Sequence, residues 1–165
     1  RLSGIGGIGL RAKINLWGND DSEKAGATAL ALLPYLSLPT DRRNGISPDR
    51  VEGGLIVPFG VMLGDRIGLG INAGVAATPN AGRSGYHAEW MASASLAYSW
   101  SDALGTYSEI GGRFGRDDPR GDIAFVGIGA TYKLHKNLQL DAGVNFGVTK
   151  AAGRINPFVG VSARF

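Results

Sequence analysis

Cysteine is absent from this 165-residue sequence. Its absence excludes a disulfide framework and every mechanism that depends on a thiol. Missing cysteine does not indicate a cellular compartment, so localisation has to be inferred from other features of the chain.

Long apolar runs and an excess of charge of one sign are also missing. Hydrophobic residues make up 44% of the chain, yet no stretch approaches the roughly 20 consecutive apolar residues of a membrane-spanning helix. The chain is therefore either soluble or crosses a membrane as strands. The net charge is +3 and spread out, so we expect no nucleic-acid partner.

Glycine is abundant, with 27 residues scattered along the chain. This frequency disfavours helix along most of the sequence. The length is typical of one domain, and we interpret residues 1–165 as a single domain.

Apolar and polar residues alternate with a period of two, which is the pattern of β-strands. The last ten residues show it clearly, with Val159, Val161, Ala163 and Phe165 on one face and Phe158, Gly160, Ser162 and Arg164 on the other. The same pattern predicts strands over 8–17, 27–38, 55–63, 67–75, 87–100, 104–114, 124–134 and 138–148. Pro34 marks a bulge or irregularity in the second of them.

Two regularities predict an all-β, antiparallel transmembrane β-barrel of the bacterial outer membrane. After the second strand, long and short connections alternate, and the strands are long enough to cross a bilayer. Bacterial barrels have short periplasmic turns, longer outer loops, apolar residues facing lipid and polar residues facing the interior. Nine strands are visible in the sequence. Because such barrels have an even number, we expect strands before Arg1 and an intact barrel of about ten to twelve.

Aromatic residues cluster near the predicted strand ends, as expected for anchors at a membrane interface. Near the periplasmic ends we place Trp17, Tyr98, Trp100 and Phe165, and toward the opposite rim Trp90, Phe114 and Phe146.

Polar side chains on the other face are the candidate lumen or pore lining. They are Arg11, Lys13, Asn15, His87, Glu89, Tyr107, Glu109, Arg113, Asp141, Asn145 and Arg164. Their two signs of charge fit a ladder of ion pairs that maintains the barrel shape. They equally fit a polar pathway whose charges set selectivity, and the two interpretations overlap.

Other motifs have simpler explanations. The glycines from Gly4 to Gly9 match a dinucleotide fingerprint, but a strand follows them where that motif requires a helix. His87, Glu89 and Ser93 contain the residue types of a lipid hydrolase, although six residues along a strand place His87 and Ser93 about 20 Å apart. The acidic loop 117–122 has the oxygen ligands of a cation site, but a solvated loop explains it as well. We predict no catalytic residue, no cofactor and no metal.

Two segments resemble a known family. Ser3–Lys13 is a glycine-rich strand that ends in a basic residue, and Ala29–Thr40 contains the run Leu33-Pro34-Tyr35 and ends in Leu38-Pro39-Thr40. Both are similar to segments of outer-membrane transporters named for the meta pathway of phenol degradation. Gly6-Gly7 replaces the Gly-Asp common in that family. The terminal Phe165 also resembles the closing residue of outer-membrane barrels, which the barrel-assembly machinery recognises.

The resemblance implies an outer-membrane channel or transporter, not an enzyme, for small, partly apolar or aromatic solutes. Its implied partners are outer-membrane lipid, lipopolysaccharide and, through the C-terminal strand, the barrel-assembly machinery. Two alternatives stay open at this point. One is a soluble lipocalin-like barrel with its apolar faces inside, and the other is a lipid-modifying outer-membrane enzyme.

Overall fold

The structure, a computed structural model, describes residues 7–18, 24–40, 50–82 and 84–164. Its elements are all strands: β1 (Ile8–Arg11), β2 (Ile14–Trp17), β3 (Thr28–Leu38), β4 (Glu52–Gly64), β5 (Ile67–Pro79), β6 (Tyr86–Ser99), β7 (Leu104–Phe114), β8 (Ile123–His135), β9 (Leu138–Gly147) and β10 (Ile155–Ala163). Within these ranges, no helix is long and apolar enough to cross a membrane. Phe165 and the start of the glycine motif lie outside the described residues.

The strands form one antiparallel sheet in which each strand from β3 onward pairs with the next along the chain. β1 and β2 both pair with β3, so they are two parts of one strand and the sheet is nine strands wide. β10 pairs with β9 and not with β1 or β2, which leaves an open half-barrel. The predicted all-β antiparallel fold and its nine strands are confirmed.

Proline explains why the strand predicted over 8–17 is interrupted at Ala12 and Lys13. The pairing of β1 and β2 with β3 keeps one register across the gap at Ala12 and Lys13. The N–H of Ala12 donates to the carbonyl of Pro34 at 3.1 Å, but Pro34 has no N–H to return the bond. The ladder is therefore interrupted there, at the residue where an irregularity was predicted.

The connections alternate in length as predicted. Short turns at 65–66, 100–103 and 136–137 leave one end of the sheet, which we call the short-turn end. The segments 39–51, 80–85, 115–122 and 148–154 leave the other, the long-loop end. Loop residues that share the long-loop end can therefore meet above the sheet.

Side-chain contacts between distant strands show which face is concave. Nη2 of Arg113 on β7 lies 3.1 Å from Oε1 of Glu52 on β4, and Oη of Tyr35 on β3 donates to Sδ of Met91 on β6 at 3.9 Å. Each pair is three strands apart, about 14 Å in a flat sheet. The sheet therefore curls toward the face that carries these polar side chains.

The convex face is apolar and exposed. Trp90 is 59% exposed, Ile110 60% and Val161 68%. Among the described residues, only Ala31 and Ala76 are buried hydrophobic residues. In the described ranges, the large hydrophobic side chains therefore line the outside of the curve and form no buried apolar interior.

Glycines on the concave face accommodate aromatic rings from neighbouring strands. A Cβ on Gly111 would lie 2.8 Å from Cζ of Phe125, and one on Gly143 would lie 2.6 Å from Cζ of Phe158. The ring of Tyr107 lies against Gly129 in the same way. Because these rings lie along the wall, they leave the space inside the curve open.

Candidate functional site

Five charged or titratable side chains meet on the concave face near the long-loop end. We call this group the charged cluster: Glu52, His87, Glu89, Arg113 and Arg116. Glu52 begins β4, Glu89 follows the start of β6, and Arg113 precedes the end of β7. Strand alternation turns Glu89 and Arg113 inward, because their neighbours Trp90 and Phe114 face outward, and it turns Glu52 inward, because Leu55 three positions along β4 is exposed on the opposite face. Curvature then brings the three strands together.

Glu89 is the buried centre of the charged cluster, with 4% of its surface exposed. Nη2 of Arg113 lies 2.8 Å from its Oε2, and Nε of Arg116 lies 3.9 Å from its Oε1. Arg113 also reaches Glu52 at 3.1 Å. One guanidinium therefore links β4 to β6 across the concave face, as the ion-pair interpretation of the lumen residues expects.

Among the described residues, three buried polar side-chain atoms close to this network make no hydrogen bond. They are Oγ1 of Thr78, Oε2 of Glu89 and Nε of Arg113. The approach of Arg113 to Oε2 of Glu89 is close enough for charge attraction but is out of line for a hydrogen bond. The network thus retains hydrogen-bonding capacity for water or a polar solute.

His87 connects the charged cluster to two loops. Its Nδ1 lies 3.1 Å from Oδ1 of Asn80, and its Nε2 lies 3.2 Å from Oε1 of Glu89. The backbone N–H of Asp117 donates to the same Nε2 at 3.2 Å. Since a nitrogen that accepts this bond carries no proton, the proton of neutral His87 is on Nδ1 and is donated to Asn80.

Two carboxylates of the loop 115–122, those of Asp118 and Asp122, are bonded within the loop. Asp118 accepts hydrogen bonds from Arg116 at 3.1 Å and from Arg120 at 2.9 Å, and Asp122 accepts from the N–H of Gly115 at 2.9 Å. Hydrogen bonds from Arg120, first from its side chain and then from its backbone, hold the pKa of Asp118 well below its ordinary value. The described residues contain no group of three His, Cys, Asp or Glu arranged to hold a metal.

Other ionisable residues of the concave face stand apart from the charged cluster. Glu109 faces inward opposite Ser95, and Asp141 opposite Thr131. Lys13 lines a cavity of about 360 Å³ with Asn15, Asn72 and Ser95. Within the described part of the chain, Lys13, Glu109 and Asp141 make no hydrogen bond or ion pair. These side chains present charge to the interior without a partner that neutralises it.

The remaining predicted lumen residues occupy varied positions. Arg11 lies opposite Tyr35, Tyr107 opposite Gly129, and Asn145 opposite Gly127, all on the concave face. Arg164 follows the last residue of β10 and is exposed, with its N–H bonded to the carbonyl of Asn137 at 3.0 Å.

The predicted anchor aromatics that lie in the described ranges are all exposed on the convex side or at its ends. Trp17 is 51% exposed and Trp100 58%. Their indole N–H groups donate to Oγ1 of Thr28 and Thr106. Tyr98 packs edge-on against Trp100, with ring centroids 4.7 Å apart. The two indoles thus combine an apolar body with a hydrogen-bonded polar atom.

The constellation of a serine hydrolase is not assembled around His87. Its partners are Asn80, Glu89 and Asp117, while the hydroxyl of Ser93 accepts a bond from Asn72 at 3.0 Å. Among the described residues, His87 and Ser93 are not hydrogen-bonded to each other, so His87 is not placed to activate this hydroxyl.

The alternation of apolar and polar residues placed three members of the charged cluster on one face but did not identify Glu52 and Arg116. Glu52 was detectable, because the alternation of the strand predicted over 55–63, extended toward the N-terminus, puts Glu52 on the polar face. Arg116 lies in a loop, where no periodicity fixes direction.

Comparison with known proteins identifies one family. The sequence profile described as "Putative MetA-pathway of phenol degradation" matches residues 1–165. A search of curated proteins gives no match.

Proposed function

The chain belongs to the phenol-degradation family that it matches along residues 1–165, and on this premise we propose that it is a non-enzymatic channel or transporter of the bacterial outer membrane. The observation that carries the proposal is the division of the sheet into an apolar convex face and a charged concave face. Outer-membrane barrels divide their faces in this way.

The convex face fits contact with lipid. Its exposed apolar side chains include Ile110, Ile128 and Val159, which is 86% exposed. A surface of this kind is unfavourable in water, and burial in hydrocarbon gains about 25 cal/mol per Å² of apolar area. The strands from β3 to β10 contain from 9 residues in β10 to 14 in β6, and about 9–11 tilted residues cross a bilayer.

The concave face fits a pathway for solutes. Glycines leave room there, aromatic rings such as Phe125 and Phe158 lie along the wall, and Lys13, Glu109 and Asp141 supply charge. We propose that small, partly apolar or aromatic solutes pass along this face. The rings of the solutes contact the aromatic side chains of the wall, and their polar groups contact the charged side chains.

A soluble lipocalin-like barrel fits the structure less well. Such a protein buries its apolar faces around the ligand and exposes its charged faces. Here Glu89 is 4% exposed and Trp90, its neighbour in sequence, 59%, which is the reverse arrangement.

Single-channel conductance in planar bilayers tests the proposal. The purified chain should add discrete conductance steps, and phenol-like solutes should reduce the current by competing for the interior. The double substitution Glu109→Gln and Asp141→Asn should shift the reversal potential, measured in a salt gradient, in the direction of anion selectivity. The reason is that two negative charges are removed from the pathway.

The matched control is Asp102→Asn, which changes an exposed acid in a short turn at 100–103. It should leave the reversal potential unchanged. Absence of conductance steps from correctly folded protein would overturn the channel, and a shift of equal size in the control would remove Glu109 and Asp141 from the pathway.

A further inference from the structure

We propose that His87 is a pH-operated latch that fastens the loop 115–122 over the long-loop end of the sheet when neutral and releases it when protonated. The inference concerns this loop and does not depend on the proposed transport. It rests on one nitrogen atom with two competing partners, since Nε2 lies 3.2 Å both from the N–H of Asp117 and from Oε1 of Glu89.

The two contacts require opposite states of Nε2. The N–H of Asp117 needs an acceptor, so that bond forms only while Nε2 is unprotonated. The carboxylate of Glu89 needs a donor, so that bond forms only when Nε2 carries a proton. Nδ1 donates to Asn80 in both states. Adding one proton therefore exchanges the partner of Nε2 and leaves the N–H of Asp117 without its acceptor.

The surroundings of His87 favour this exchange. Strand β5 contributes the uncharged Thr78 opposite it. Among the charged groups near His87, Glu89 contacts Nε2 directly, with Arg113 and Arg116 beside that carboxylate. Glu52 pairs with Arg113, Asp118 pairs with Arg120, and Arg50 donates to the carbonyl of Asn80. Protonation of Nε2 therefore creates a charge-assisted hydrogen bond with a carboxylate that is already in place.

Once Nε2 is protonated, the loop 115–122 has one hydrogen bond fewer to the sheet. Oδ2 of Asp117 also accepts from the N–H of Ala81 at 3.1 Å, so His87 and Ala81 hold the two loops together at adjacent points. The internal bonds of Asp118 and Asp122 do not involve His87. We therefore expect the loop to move as a unit and to keep its own turn when it is released.

Amide hydrogen exchange of the full chain in detergent tests the latch. Between pH 8 and pH 5, after correction for intrinsic exchange, protection of the Asp117 amide should fall on the order of fivefold, the equivalent of one lost hydrogen bond. His87→Gln places an amide oxygen where Nε2 accepts and cannot titrate, so it should keep the Asp117 amide protected at both pH values. Glu89→Gln should move the loss of protection to lower pH, because it removes the charge that stabilises the imidazolium.

His135 provides the matched control, as the second of the two histidines in the chain and exposed at the short-turn end. His135→Gln should leave the pH response of Asp117 intact. Unchanged protection of Asp117 across the titration of His87, or a pH response that persists in His87→Gln, would overturn the latch. Neither outcome bears on conductance, so a failed latch and a failed channel are distinguishable.

Discussion

At the residue scale, Glu89 is the central residue of the charged cluster. It is 4% exposed and is surrounded by side chains from neighbouring strands. Strand alternation alone assigned it, with His87 and Arg113, to the polar face. The ion pair between Arg113 and Glu52 was not predictable in this way. It crosses three strands and depends on how strongly the sheet curls, which the pattern within one strand does not encode.

Removing the positive charge of Arg113 from the charged cluster should destabilise the folded protein. Arg113→Gln leaves Glu89 buried without its closest countercharge, and breaking a buried ion pair costs more than the pair contributed. We expect a loss on the order of 2 kcal/mol in the free energy of unfolding, below the full penalty of a completely buried pair because 35% of the Arg113 side chain is exposed. Urea unfolding in detergent measures it.

Arg120→Gln is the matched control for this change. The Arg120 side chain is 67% exposed, and surface ion pairs contribute little. Equal losses in the two variants would contradict the assigned role of Arg113.

Asp118 gives the loop a second pH dependence, in which a stabilising contact is again lost as the pH falls. Its folded-state pKa is lowered by Arg120, so its stabilising effect is complete above the ordinary carboxylate value and is lost only as pH falls through the lowered one. The turn around Asp118 should therefore persist at pH 5. Exchange of the Gly121 amide, which bonds to the carbonyl of Asp118 at 2.8 Å, should stay slow there. Early loss of its protection would show that the whole loop unfolds.

At the element scale, period-two alternation predicted nearly every strand, because each strand has one apolar and one polar face. The alternation did not predict two details of the sheet. The break between β1 and β2 arises from the missing N–H of Pro34, which acts on a neighbouring strand. The fit of Phe158 against Gly143 joins β10 to β9, and a sequence pattern gives no sign of which glycine receives which ring.

Glycine substitutions should separate these packed positions from open ones. A Cβ on Gly143 would meet Cζ of Phe158 at 2.6 Å and the backbone oxygen of Ile128 at 2.7 Å. Rotation of the ring cannot relieve the second contact, so Gly143→Ala should destabilise by about 1–3 kcal/mol.

Gly60 is the corresponding open position in β4, with no atom within 4 Å of an added Cβ. Gly60→Ala should stay within about 1 kcal/mol of the parent and favour the folded state through reduced entropy of the unfolded chain. The unfolding midpoints of the two variants in urea check this ranking, and a larger loss for Gly60→Ala would refute it.

At the scale of the whole molecule, the sequence predicted the antiparallel order, the alternation of connections and which face is polar. The open half-barrel was not readable from the pattern, because alternation is the same in an open and a closed sheet. The direction of curvature was inferred from the charged residues, and the contacts of Arg113 with Glu52 and of Tyr35 with Met91 establish it.

The central claim is that the convex face contacts lipid while the concave face contacts water. Since the chain has no cysteine, single cysteines can carry spin labels without background. Labels at Ile110→Cys and Ile128→Cys face outward, and those at Glu109→Cys and Thr131→Cys face inward. Collision rates with oxygen and with a water-soluble nickel chelate, measured in bilayers, should show oxygen dominant at the outward pair and nickel at the inward pair. Nickel access at Ile110 and Ile128 equal to that at Glu109 and Thr131 would contradict the account.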